Sequence, residues 1–165
     1  MKTPAASRPR ARTASRVAAV QALFQIEQTQ ENPETVVDQF VHHRLGDAPG
    51  GDGYEDGRIP DAEAPLFAHI VRGAVQQQKT IDVMLADAVP SDWPWSRIDP
   101  VLRSLLRAAC AELLGVNGAP AKVIINEYVD ISRGFFAAPL PGLVNAVLDR
   151  LARELRFQEF GNCPG

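Results

Sequence analysis

Basic side chains at the start of the chain are the residues with the clearest chemical potential. The first 26 residues contain Lys2, Arg8, Arg10, Arg12 and Arg16 and no aspartate or glutamate. An arginine guanidinium presents a planar fork of N–H donors that matches phosphate oxygens. Arg12 and Arg16 are four residues apart, so they share a face if a helix begins near Thr13. Phosphate binding is one interpretation, and an organelle transit peptide or a merely soluble tail are the others.

The charge of the whole chain is strongly segregated. The formal net charge is −3, but residues 27–63 carry ten acids against two arginines. The remaining residues after 63 are balanced. A nucleic-acid contact is therefore expected away from the acidic stretch, since like charges repel.

A second polar cluster follows Pro120. Lys122, Asn126, Glu127, Asp130 and Arg133 recur there at helical intervals. A solvated helix face is the usual fate of such residues. Asn145, which stands near Val144 and Val147, is expected to be partly buried and hydrogen bonded to a neighbouring helix.

Catalytic constellations are not evident in the sequence. The two adjacent histidines, His42 and His43, face different sides of a helix, and no phosphate loop, GxSxG or HExxH motif occurs. The acidic glycine-rich segment 46–60 lacks the spacing of a calcium loop. Glu112, on an otherwise apolar helix, is expected to pair with a neighbour such as Arg107 or with a backbone cap. We therefore expect no enzyme, no metal site and no cofactor.

Punctuation and periodicity predict an all-α protein of about seven helices in two packed bundles. Asn32–Pro33 and Asp99–Pro100 are typical of an N-cap followed by the first helical residue. The helix after Asp99 is apolar on nearly two faces and should be central, with Leu106 in the core. No segment alternates with period two for long enough to form a strand.

Length and patterning then fix the expected organisation. The 165 residues suit one domain, with a flexible basic arm at 1–12, a helical domain at 13–157 and a flexible tail at 158–165. The bundles are predicted at about 13–89 and 96–157. No apolar run approaches the ~18 residues that span a bilayer, and no secretory signal follows Lys2. A cytoplasmic protein without membrane partners is expected.

Five segments together resemble the bacterial NusB family. They are AVQALFQ at 19–25, FAHIVRG at 67–73, Leu106–Arg107 with Glu112–Leu113, PAKVIINE at 120–127 and VNAVLD at 144–149. Their order and spacing are similar to the family pattern over about residues 13–157. The resemblance implies an all-helical, non-catalytic protein that acts in transcription antitermination. It also implies pairing with the ribosomal protein NusE, binding of single-stranded boxA RNA in nascent transcripts, and loading onto the RNA polymerase elongation complex.

The resemblance places functional residues on this sequence. The arginine arm and first helix of the family contribute to RNA binding, which here implies Arg10, Arg12, Arg16 and Gln21. Lys122, Asn126 and Arg133 on the sixth helix extend the expected RNA interface, while Phe24 and Arg103 are expected to contact the protein partner. The alternative is a protein-interaction module, related to the front domain of RNA methyltransferases, that binds no RNA itself.

Overall fold

The structure, a computed structural model, describes residues 4–45, 62–115 and 118–161, with side chains from Arg10 onwards. Seven α-helices follow one another in this part of the chain, and none of its residues lies in a β-strand. The helices are α1 Pro4–Thr29, α2 Pro33–His43, α3 Ala64–Gln76, α4 Gln78–Ala88, α5 Pro100–Leu114, α6 Ala121–Phe135 and α7 Leu140–Leu155. Short 3-10 helices cover Trp95–Arg97 and Phe157–Phe160. The predicted all-α fold of about seven helices is confirmed. The acidic loop 46–60 lies outside the described residues.

Two helix starts are fixed by side-chain caps, as the sequence predicted. The Asn32 side chain accepts a hydrogen bond from the backbone N–H of Glu34 at 2.8 Å. The Asp99 carboxylate accepts one from the N–H of Val101 at 2.8 Å. Each cap satisfies a backbone donor that the helix itself leaves unpaired, an interaction worth about 1 kcal/mol.

Helix α1 begins at Pro4 and not near Thr13 as predicted. Proline suits the first helical position, and the alanines and arginines that follow are strong helix formers. The expectation of a flexible arm at 1–12 is therefore wrong for the backbone of residues 4–12, which is helical. Arg10 and Arg12 also lie beyond the first turn, so the positive end of the helix dipole does not disfavour them.

The first compact unit, Met1–Val75, contains α1, α2 and nearly all of α3. The backbone N–H of Glu63 donates to the Ser15 hydroxyl at 2.6 Å, which ties α1 to the start of α3. The rings of Phe40 and Phe67 stack with centroids 5.3 Å apart and join α2 to α3. Both rings are at most 1% exposed, so they anchor the apolar interior of this unit.

The second compact unit, Gln76–Gly165, is organised around α5. Helix α5 packs against α4, α6 and α7, and Leu106 at its centre is fully buried, as predicted. Helix α4 belongs to this unit, although the sequence placed it in the first bundle. Its Ile81 and Leu85 are fully buried, and Asp82 pairs with Arg107 of α5 at 2.8 Å.

A clamp formed by Arg156 and Glu159 closes the second unit. The Arg156 guanidinium donates to the carbonyl oxygens of Glu112, Leu113 and Gly115 at 2.8–3.1 Å. It also donates to the Glu159 carboxylate, which in turn accepts the backbone N–H of Ala121 at 2.8 Å. The clamp thus satisfies the carboxyl end of α5 and the amino end of α6. The flexible tail predicted from residue 158 is therefore wrong for residues 158–160, which form a 3-10 turn.

The Glu159 carboxylate should make stability depend on acidity. Its pKa is lowered from 4.5 by the Ala121 N–H and then by Arg156. A carboxyl whose folded pKa is depressed stabilises the fold above its unfolded pKa, and the contribution is lost as pH falls through the folded pKa. In urea unfolding, Glu159→Gln should destabilise near neutral pH and differ progressively less from the unmodified chain below about pH 4.5. A difference that stays constant with pH would contradict this role.

None of the described helices has both the length and the apolar character needed to cross a membrane.

Candidate nucleic-acid interface

Two of the predicted arm residues are presented to solvent on α1. The side chains of Arg10 and Arg12 are both exposed. Because successive helical residues are about 100° apart, residues two apart project to different sides of the helix. The two guanidinium groups therefore offer separate donor forks, and no acidic residue precedes Glu27 to neutralise them.

Arg16 corrects the sequence prediction. Its side chain is only 1% exposed, which makes it one of the largest fully buried side chains of the fold. It shares a helix stripe with the buried Ala19 and Val20, three and four residues further on. A buried guanidinium needs partners inside the protein, and Arg16 has such an interaction. In this conformation Arg16 is therefore a structural residue of α1 and cannot reach a phosphate.

Gln21 and Phe24 lie one and two turns beyond Arg16 and are half-buried. The Gln21 Oε1 atom is buried and has no hydrogen-bond partner among the described residues. A buried carbonyl oxygen without a donor costs about 1–3 kcal/mol, so Gln21 is a polar group held in an unfavourable state. Phe24 presents an apolar ring at the border between the interior and the surface.

The second set of predicted residues surrounds a cleft between α6 and α7. The cleft has a volume of about 390 Å³ and is lined by Asn126, Val129, Asp130, Arg133, Pro141, Gly142 and Asn145. Asn126 and Arg133, both predicted from the sequence, are therefore brought to one site. Lys122 is exposed one turn before Asn126 and does not line the cleft.

Asn145 differs from its prediction. The sequence suggested a partly buried side chain bonded to another helix, but Asn145 is exposed and lines the cleft. Its neighbours Val144 and Val147 turn inward, which leaves the position between them on the outer side of α7. A helical-wheel assignment of α7 would have placed Asn145 beside Gly142 and away from the buried stripe.

An ion pair occupies the rim of the same cleft. Arg133 donates to the Asp130 carboxylate at 2.6 Å, and both side chains are more than 60% exposed. Such an exposed pair contributes less than about 1 kcal/mol to stability, so a ligand can separate it at little cost. Arg133 is thus available to the cleft only in competition with Asp130.

Arg103, predicted to contact a partner, has a structural role at the start of α5. It is half-buried and donates to the Ile98 carbonyl at 2.6 Å. That hydrogen bond holds the residues before α5 against its first turn. Any partner contact must use the exposed remainder of the side chain.

The buried titratable groups are engaged in structure. The Tyr128 hydroxyl donates to the Glu112 carboxylate at 2.7 Å, so Glu112 is paired, as the sequence suggested. Burial raises the pKa of the Cys110 thiol to about 12, so little of the reactive thiolate forms at neutral pH. In the described part of the chain, no group of three or more His, Cys, Asp or Glu residues is placed to hold a metal ion. The surface groups that remain are donors and amides suited to binding.

Fold and surface together define an all-helical protein with exposed cations on its first helix and an amide-lined cleft. The NusB family model matches residues 13–153. The transcription antitermination protein NusB of Granulibacter bethesdensis is 60% identical over 93% of this chain and 94% of its own length. The corresponding protein of Gluconobacter oxydans is 49% identical over 87% of this chain and 88% of its own length. The chain belongs to the NusB family of transcription antitermination proteins.

Solved structures show the same fold. NusB of T. maritima superposes with a TM-score of 0.70 at 26% identity, covering 98% of this chain and all of that one. A NusB chain from a complex of the antitermination factors NusB and NusE with double-stranded RNA superposes with a TM-score of 0.67. That chain is 21% identical, and the match covers 88% of this chain and 98% of that one.

Proposed function

We propose that this chain is a non-catalytic antitermination factor that binds boxA RNA of nascent transcripts together with NusE. It acts in the cytoplasm, where the pair joins the RNA polymerase elongation complex. The observation that carries the proposal is the exposure of Arg10 and Arg12 on a helical segment without acids, in a member of the NusB family. The NusB–NusE–RNA complex among the structural neighbours supports both ligands.

The proposed RNA contacts divide into cations and amides. Arg10, Arg12 and Lys122 are exposed and supply charge toward phosphates. Asn126 and Gln21 carry amides, which present both a donor and an acceptor to a base or sugar. Arg133 joins the interface when it leaves Asp130. Arg16, being buried, is not included.

The proposed NusE contacts are Phe24 and the exposed part of Arg103. Aromatic and arginine side chains at a half-buried border are typical anchors of protein interfaces. A protein-only module remains the alternative function, and it requires neither Arg10 nor Arg12.

The salt dependence of RNA binding tests the proposal. Arg10→Ala/Arg12→Ala should weaken binding of boxA-like RNA to the complex with NusE. For single-stranded RNA, the slope of log affinity against log salt should fall by ~0.7 for each phosphate that the arginines no longer neutralise. The measurement is fluorescence anisotropy with labelled RNA over a series of salt concentrations.

The matched control removes two other exposed cations. Lys79→Ala/Arg97→Ala changes the net charge equally, on residues outside the proposed interface. It should leave the slope unchanged. If both double variants give the same slope as the unmodified chain while NusE still binds, the protein-only module becomes the better description.

A further inference from the structure

The cleft between α6 and α7 combines two amides with an apolar wall. Asn126 projects from α6 and Asn145 from α7, and both line the cleft. Among the described residues, neither side chain forms a hydrogen bond. Each amide therefore has an NH₂ donor and a carbonyl acceptor to offer a ligand.

The remaining lining residues suit a flat ring better than a phosphate. Val129, Pro141 and Gly142 supply apolar surface, and Val129 is 7% exposed. Asp130 places a carboxylate at the rim, which repels an anionic phosphate. The cleft volume of about 390 Å³ lies within the range of small-ligand sites and accommodates a single base.

The Asp130–Arg133 pair decides between purines. Arginine reads guanine through its O6 and N7 acceptors, but here the guanidinium is held by Asp130 at 2.6 Å. Asparagine pairs in a bidentate manner with adenine, donating to N7 and accepting from the N6 amino group. The Asp130 carboxylate is a further acceptor for an amino group and none for a carbonyl oxygen.

We propose that this cleft binds one unstacked adenine of single-stranded RNA, with Asn126 and Asn145 reading its edge and Asp130 disfavouring guanine. The proposal rests on the proposed function and specifies which base that interface selects.

The test is base substitution in the RNA. A boxA-like RNA and variants with each adenine replaced in turn by guanine are bound to the complex of this chain with NusE. At one position, guanine should weaken binding to the unmodified chain by roughly 5- to 150-fold, the discrimination of one bidentate pair. Asn126→Ala and Asn145→Ala should each remove most of that discrimination and leave the salt slope unchanged.

Two further variants probe the cleft by different means. Asp130→Asn releases Arg133 and should shift the preference at the same position toward guanine. Gly142→Leu should weaken binding of every RNA that places a base there, because a Cβ at Gly142 meets no atom within 4 Å and the side chain can occupy the cleft. Gln158→Ala removes an exposed amide that does not line the cleft, and it should behave like the unmodified chain.

The outcomes separate this inference from the proposed function. If the unmodified chain binds the RNA with NusE but both asparagine variants keep the full discrimination, the cleft does not read a base and the inference is overturned. If the unmodified chain and NusE bind no RNA, the proposed function itself fails. Thermal unfolding of each variant verifies that the fold is intact, as expected for exposed positions.

Discussion

Arg156→Ala is expected to lower the free energy of unfolding by about 3 kcal/mol, since hydrogen bonds to a charged group contribute ~1.5–3 kcal/mol each and are not additive. The variant removes donors to the carbonyls of Glu112, Leu113 and Gly115. The Arg156 side chain is only 16% exposed, so water replaces these donors poorly. Urea unfolding at neutral pH measures the change.

Two matched variants sharpen the Arg156 experiment. Arg156→Lys keeps the charge but loses the planar fork that reaches several carbonyls, so it should recover only part of the stability. Arg153→Ala removes an exposed arginine of the same helix that pairs with Asp149, and it should cost less than about 1 kcal/mol. An Arg156→Ala cost as small as that of Arg153→Ala would show that the clamp does not hold α5 to α6.

Asp82→Ala is expected to destabilise the second unit by about 3 kcal/mol or more, because a buried arginine then loses its carboxylate. Asp82 accepts two hydrogen bonds from Arg107, at 2.8 and 2.9 Å. The Arg107 side chain is 10% exposed, and its guanidinium also lies over the Trp95 ring at 5.6 Å. The charge is therefore held in a site from which water is largely excluded.

The control for Asp82 lies on the same helix. Asp87 pairs with Arg150 of α7 in the open, with side chains 77% and 52% exposed, so Asp87→Ala should cost less than about 1 kcal/mol. The double variant Asp82→Leu/Arg107→Met should be less destabilised than Asp82→Ala, because no unpaired charge remains buried. Equal losses for Asp82→Ala and Asp87→Ala would mean that the Asp82 pair is effectively solvated.

Local signals predicted the fold well. Asn32 and Asp99 cap helices where the sequence placed them, and the apolar stripe around Leu106 identified the central helix. These features depend on residues within one or two turns of one another, which is the range over which sequence patterns are informative.

The predictions that failed depended on tertiary context. Arg16 looked like a surface cation because its charge is visible in the sequence, whereas its burial depends on what packs beside α1. The Arg156 clamp was not foreseen, because its acceptors are backbone carbonyls more than forty residues away and leave no side-chain signature. Asn145 was misassigned because one apolar neighbour on each side was taken as burial, without regard to the 100° step of the helix.

The helical backbone of residues 4–12 bears on the thermodynamics of complex formation. Nine residues that ordered only on contact with RNA would lose about 1–2 kcal/mol of backbone entropy each at that moment. In this chain that loss belongs to folding, so the encounter proceeds without a coil-to-helix transition. Association is then set by diffusion and electrostatic steering, and its heat capacity change reflects only the surfaces that meet.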